Sequence, residues 1–282
     1  MKLAELLKNN PRVGIIGGTN GTGKQFANLF RKSGFKVKVS GRKTKTTNQE
    51  LAEKSDILIF APPLKSSVKI IEETIEHCQN PNQLILDLCS LKKKQIQAMK
   101  KAKGKVIGLH PMFGSKFKDV SGQDLIICTE SEHKYCKPIK ELLTSWGLII
   151  HPMPAEEHDK LMATIQVIPH LSALISGSLF RSLGIHPEKS LRICSPVYKT
   201  ELYMIGRIYS QNPSLYATII GLNEESPEIA KQLQNILTDL IIKISKQDID
   251  GLEAEFSENK SHFGKFAQKA LIESQKLFLK LN

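Results

Sequence analysis

The sequence predicts an α/β protein, a Rossmann-type doubly wound parallel sheet followed by an all-helical dimerisation domain. Three observations carry that prediction. Short apolar runs alternate with helix-like segments over the first 150 or so residues, the pattern of strands joined by crossover helices. A glycine-rich turn joins the first run to the first helix. From Pro154 onward the period becomes helical and no strand alternation returns. The expected domains are therefore 1–153, dinucleotide-binding, and 154–282, helical and substrate-binding.

Residues 12–17 form the first predicted strand, and 23–33 a helix stopped at Gly34. In the strand 35–40, Val37 and Val39 alternate with Lys36 and Lys38, which predicts one partly exposed face. Strand 57–61 is ended by Pro62 and Pro63, because proline cannot donate to a ladder. A helix over 68–77, a strand at 84–88, a Lys-rich helix at 92–103 and strands at 105–109 and 125–128 follow. A helix at 134–146 and a strand at 148–151 complete the first domain. Residues 156–184 are apolar on all sides, so that helix belongs in a core or a subunit interface, and a homodimer is expected. Further helices are predicted over 195–211, 214–222, 227–247 and 250–281.

Composition narrows the function classes. With 40% hydrophobic and 24% charged residues the 282-residue chain is an ordinary globular one, neither fibrous nor disordered. Forty Lys and Arg against 28 Asp and Glu give a net charge of +12. That balance would suit nucleic acid, but there is no run of five basic residues and no nucleic-acid motif, so no such partner is expected. A solvated lysine-rich surface, with attraction of an anionic substrate, accounts for it. The five cysteines are odd in number and lack CxxC spacing, which argues for reduced thiols in a cytoplasmic protein. Residues 1–11 lack the apolar core of a secretory signal, and no apolar run approaches the roughly 18 residues of a membrane span, so no membrane association is expected.

The turn Gly17-Gly18-Thr19-Asn20-Gly21-Thr22-Gly23 departs from GxGxxG, since Asn20 stands where the second glycine would be. Asparagine tolerates positive φ, and Gly17 and Gly21 add freedom, so Gly18 to Gly23 can still bring backbone N–H groups to a pyrophosphate. After the second strand the chain reads Ser40-Gly41-Arg42-Lys43-Thr44, without the acidic residue that would accept from a ribose 2'-hydroxyl. Ser40, Arg42 and Lys43 instead suit a 2'-phosphate, which favours NADP over NAD; the rival reading makes both cations solvated surface charge.

Asp87-Leu-Cys-Ser90-Leu-Lys92, Gly108-Leu-His110-Pro-Met-Phe-Gly114, His158-Asp159, Pro169-His170 and Tyr198-Lys199 through Gly206-Arg207, in this order, resemble the prephenate dehydrogenases. The resemblance covers nearly the whole chain from Arg12. It is similar to the dehydrogenase half of bacterial bifunctional chorismate mutase/prephenate dehydrogenases, while the glycine turn and Ser40-Gly41-Arg42 look like archaeal single-function members. With about ten residues ahead of the first strand, no mutase domain is expected.

The resemblance implies a reaction in which the ring hydroxyl of prephenate is oxidised and CO2 is lost as the ring becomes aromatic. That needs a base and a nicotinamide, and no metal. His110 is then the acceptor for the hydroxyl proton, and Ser90, just past a strand end, orients hydroxyl and ring; the alternative for Ser90 is a helix cap. Arg207 is the carboxylate clamp, with Lys199 two turns earlier where relatives tend to carry Arg, and His170 a substrate contact. His158-Asp159 reads as helix-start chemistry. The three histidines lack metal-ligand spacing. Arogenate, with an amino in place of a keto side chain, is the rival substrate, and a non-catalytic NADP-sensing regulator the rival of another class. Tyrosine, if it inhibits, should compete within the active site.

Overall fold

The computed structural model describes residues 3–7 and 11–279. A short helix, α1 (Leu3–Leu6), precedes the sheet. Then come β1 (Arg12–Ile16), α2 (Gly21–Lys32), β2 (Lys36–Ser40), α3 (Asn48–Lys54), β3 (Ile57–Phe60), α4 (Leu64–Ile75) and β4 (Leu84–Asp87). They are followed by α5 (Lys93–Met99), β5 (Lys105–Pro111), β6 (Asp124–Cys128), α6 (Cys136–Ser145), β7 (Ile149–Met153) and α7 (Ala155–Met162). Strand order in the seven-stranded sheet is β2-β1-β3-β4-β5-β6-β7. Every residue of the central strands β3 and β4 is buried, as expected of strands covered on both faces by helices. The edge strand β2 keeps the expected alternation.

The sheet departs from the expected all-parallel form at one point. β6 runs antiparallel to β5, with His110 opposite Ile126, and β7 is parallel to β6. The chain turns back through residues 112–123, which contain no helix. A parallel neighbour usually needs a crossover helix, whereas an antiparallel one does not. The helix α3 also went unpredicted. Only Leu51 and Ala52 of its seven residues are buried, too few to mark a period, and its start is fixed by Thr47, whose side chain accepts from the Glu50 N–H.

Two apolar cores cover the two sheet faces. One gathers Phe26 and Phe30 of α2, with Trp146 set edge-on against both rings. The other holds Ile71, Ile96 and Met162 from α4, α5 and α7. Through such packing the first compact unit runs to Ile165 and takes in 217–223, so it passes the sequence boundary at residue 153.

The second unit, Gln166–Tyr216 with the chain from Glu224, is helical. It contains α8 (Ile168–Ser182), α9 (Pro187–Leu191), α10 (Pro196–Tyr209), the first turn of α11 (Pro213–Leu222), α12 (Ser226–Ser245), α13 (Ile249–Phe263) and α14 (Lys265–Phe278). Two expectations change here. The helix expected over 156–184 widens into a π-turn at Ala163–Val167, immediately ahead of Pro169. Proline lacks an N–H and clashes with the carbonyl four residues back, and a widened turn relieves both. The helix expected over 250–281 breaks at Gly264, which adopts φ +50° between α13 and α14; residues 280 and 281 lie outside the described residues.

Contrary to the sequence expectation, Ala155–Ser182 is one helix of 28 residues, long and apolar enough to cross a membrane by length and composition alone. Few of its side chains are buried within the chain. Nor does α13 or α14 bury any of its described residues. Ile193, Phe256 and Leu183 are 91%, 79% and 68% exposed, so this unit presents much uncovered apolar surface. All five cysteines are free thiols.

Candidate active site

His110 sits near the end of β5 and is buried. Behind it lies a fully buried ion pair. Lys92, the residue before α5, donates from Nζ to Asp87 Oδ2 at 2.5 Å and to the Leu109 carbonyl at 2.8 Å. Asp87 ends β4, and its Oδ2 also accepts the Cys89 N–H at 2.9 Å. Burial pushes the Asp87 carboxyl up, and the Lys92 ammonium opposes that shift. Gly108 makes room for the lysine: a Cβ there would stand 2.8 Å from Ile96 and 2.9 Å from the Lys92 stem.

On its other side His110 meets a second histidine. His110 Nδ1 and His158 Nε2 are 2.9 Å apart, with the rings edge-to-face. His158, on α7 and fully buried, places its Nδ1 2.6 Å from Asp159 Oδ1. The Asp159 carboxylate then accepts the backbone N–H groups of Lys92 at 2.8 Å and Lys93 at 3.0 Å. It thereby satisfies two of the open donors at the N-terminus of α5.

This corrects two readings of the sequence. Asp159 caps a helix 66 residues away instead of its own, and Ser90, half-buried in the β4–α5 loop, does not cap α5. Burial, then the His158 and Lys92 charges, hold His110 well below the usual histidine range. Burial also lowers His158, against the pull of Asp159. Both rings are therefore neutral near pH 7, and His110 can accept a proton there. The sequence reading missed Lys92, Asp87 and the ring of His158 as parts of this centre. The available signal was an acid ending the apolar run Leu84-Ile-Leu-Asp87.

The glycine-rich turn between β1 and α2 has the geometry of a phosphate cradle. Gly17 and Gly21 take positive φ, +80° and +55°. Asn20 does not, correcting the expectation that it would substitute for a left-handed glycine; it is extended (φ −143°) and is the N-cap of α2, without a side-chain capping bond. Gly23 is buried, and a Cβ on it would stand 2.5 Å from the Gly17 carbonyl oxygen and 3.0 Å from Ala61 Cβ. Thr19 lies beside Gly41, where a Cβ would be 2.8 Å from its Oγ1. Uncapped N–H groups of Gly21, Thr22 and Gly23, with Gly18 packed on Val39 beneath them, fit a pyrophosphate.

Beyond β2, Arg42 and Lys43 are exposed and make no ion pair among the described residues. Ser40 is buried, and its hydroxyl donates to Asn48 Oδ1 at 2.6 Å, so it is turned away from the role expected of it.

The remaining expected residues lie in the helical unit. Lys199 and Arg207 are both on α10, half-buried and exposed respectively. Although apolar residues flank it in the sequence, Arg207 is exposed within the single chain. His170, on α8, has a buried Nδ1 with no hydrogen-bond partner among the described residues, and its ring stands edge-on to Tyr216 at 4.6 Å. Burial raises the Tyr216 phenol, and the Arg207 charge opposes this shift. Tyr216 was not singled out from the sequence, where it is one more aromatic in an apolar helix. Among the described residues there is no cluster of metal ligands.

Fold and site together define a nucleotide-binding α/β protein with a helical second unit. Residues 26–146 match the family model described as prephenate dehydrogenase, nucleotide-binding domain, and 154–258 that described as prephenate dehydrogenase, dimerization domain. The chain belongs to the prephenate dehydrogenase family. A probable arogenate/prephenate dehydrogenase of Methanocaldococcus jannaschii is 31% identical, over 96% of this chain and 65% of its own length. The chain thus spans about two thirds of that relative. A T-protein of Enterobacter agglomerans is 29% identical over 95% of this chain and 72% of its own length. Among solved structures, prephenate dehydrogenase from A. aeolicus in complex with hydroxyphenyl propionate and NAD+ superposes with a TM-score of 0.66, at 19% identity, over 91% of this chain and 99% of that one. Synechocystis arogenate dehydrogenase gives 0.66 at 17% identity, over 90% and 99%. At these identities the structures speak to the fold alone.

Proposed function

We propose that the protein catalyses the oxidative decarboxylation of prephenate to 4-hydroxyphenylpyruvate, a step of tyrosine biosynthesis, with NADP as the preferred hydride acceptor. One observation carries the reading: a buried, neutral histidine near the C-terminal end of an interior strand, backed by a second histidine and a carboxylate, in a chain of this family. His110 takes the hydroxyl proton, and Ser90 orients that hydroxyl. The nicotinamide, when bound, accepts the hydride, and CO2 leaves as the ring becomes aromatic. Residues Gly18 to Gly23 hold the pyrophosphate, and Arg42 with Lys43 bind the 2'-phosphate; no acid stands there to repel it.

Arg207, Lys199 and His170 are assigned to the substrate, whose two carboxylates need fixed cations, and the net charge of +12 assists its capture. The apolar surface of the helical unit supports a homodimer, in which much of α8 is covered by a second copy. The protein is assigned to the cytoplasm, in keeping with five free thiols.

The name of the M. jannaschii relative covers arogenate as well as prephenate, which supports equally a second reading with arogenate as the substrate. Steady-state kinetics with both substrates and both cofactors separates the two. Expected is the highest kcat/KM with prephenate and NADP. Preference for arogenate overturns the substrate assignment, and no turnover of either would make the protein the NADP-sensing regulator.

A further inference from the structure

The chain Asp159–His158–His110 has a direction fixed by chemistry. An aspartate carboxylate can only accept, and Asp159 already accepts two backbone N–H groups at the N-terminus of α5. At 2.6 Å from it, His158 Nδ1 must therefore carry the proton. A neutral imidazole carries only one, so His158 Nε2 is the acceptor nitrogen. His110 Nδ1, 2.9 Å away, must then be the donor, and the lone pair of His110 lies on Nε2.

We propose that Asp159 and His158 are positioning residues that lock His110 in the Nδ1–H tautomer, leaving Nε2 as the base for the proton removed in the proposed reaction. This rests on the dehydrogenase reading only for the identity of that proton. The helix terminus and the base are coupled by the geometry: the backbone donors that orient Asp159 belong to Lys92 and Lys93, and the Lys92 side chain bonds the carbonyl of Leu109, next to His110. One segment thus sets both the charge behind the ring and the tautomer of the ring. Neutrality of both rings, which the tautomer argument requires, agrees with the lowering of both by burial. Among the described residues, the charged groups acting on the pair include Lys92 and Asp87 on the β4–α5 side and Asp159 on α7. Proton balance is simple. The hydroxyl proton goes to Nε2, the Nδ1 proton stays on His110, and the resulting imidazolium donates toward His158, whose other nitrogen donates to the carboxylate.

Asp159→Asn is the informative change. With its NH2 set on His158 Nδ1, in place of the oxygen that now accepts both from that ring and from the Lys92 N–H, the amide would donate to the ring, force the proton of His158 onto Nε2 and drive that of His110 onto its own Nε2, removing the base. In the serine-protease triad an aspartate-to-asparagine change that selects the wrong histidine tautomer lowers kcat about 10^4-fold, which bounds the loss expected here from above. The experiment is 15N NMR of the histidine-labelled full chain, read together with kinetics. In the unsubstituted protein His110 should show a protonated Nδ1 and an unprotonated Nε2, and in Asp159→Asn the reverse, with kcat lowered about 10^2-fold or more and KM nearly unchanged.

His158→Gln, whose Oε1 can accept from His110 Nδ1, should keep the tautomer and most of the activity, whereas His158→Phe should lose both. A protonated Nε2 in the unsubstituted protein overturns the proposal. So does full kcat in a folded His158→Phe. The NMR reads the ring without substrate, so failure of the dehydrogenase assignment would appear in the kinetics and leave the tautomer result standing.

Discussion

Replacing Lys92 by Met tests the buried charge behind His110. The substitution keeps an unbranched apolar stem of similar length but removes the ammonium that bonds Asp87 at 2.5 Å and the Leu109 carbonyl at 2.8 Å. Both side chains of the pair are fully inaccessible, and Asp87 Oδ1 has no partner among the described residues. Only the N–H and the thiol of Cys89 would remain to Asp87. Breaking a buried pair from one side leaves an uncompensated charge and costs about 3 to 5 kcal/mol. At about 2 to 4 °C per kcal/mol for a folding unit of this size, the melting temperature should fall by about 6 to 20 °C.

Urea unfolding followed by circular dichroism measures the loss directly. Adding Asp87→Asn to Lys92→Met should recover part of the stability, since no buried charge is then left alone. The same substitution removes a positive charge that lowers His110, so the acid limb of the activity profile should move to higher pH. A loss below about 1 kcal/mol, with no recovery in the double variant, would refute the reasoning and make the pair energetically neutral.

Gly23→Ala places a Cβ 2.5 Å from the Gly17 carbonyl oxygen, and should weaken dinucleotide binding by about tenfold or more, as read by calorimetric titration. Arg42→Ala should weaken NADP far more than NAD in the same titration, and equal weakening would make Arg42 a bystander. Arg207→Lys should raise KM for prephenate although the charge is kept, and Arg207→Ala should cost about 2 to 5 kcal/mol in kcat/KM; unchanged kinetics with a lowered melting temperature would instead make the arginine structural. The unfolding free energy should fall as pH is lowered below about 6.5, because His110 and His158 have lowered pKa in the folded state and the unfolded chain binds the extra protons first. Urea titrations at two pH values check the sign, and His110→Asn should flatten the slope.

What the linear order of residues determined is local and periodic. The strands β1 to β5, the glycine turn, the absence of an acid after β2 and the helical second half all follow from neighbours within a few positions, where hydrophobic period and backbone freedom act. His110, Ser90, Arg207 and Lys199 were legible because they lie in motifs that resemble a family. Tertiary structure decided the rest. The reversal of β6 depends on a helix-free connection, and the inward turn of Ser40 on Asn48 eight residues away. The break at Gly264 and the π-turn before Pro169 are choices among backbone states that the apolar pattern leaves open. Above all, Asp87, Lys92, His110, His158 and Asp159 act on one another because folding removes them from water. Burial makes an unpaired charge or ring nitrogen costly and so fixes each partner; separations of 48 and 66 residues carry no sign of that in the sequence.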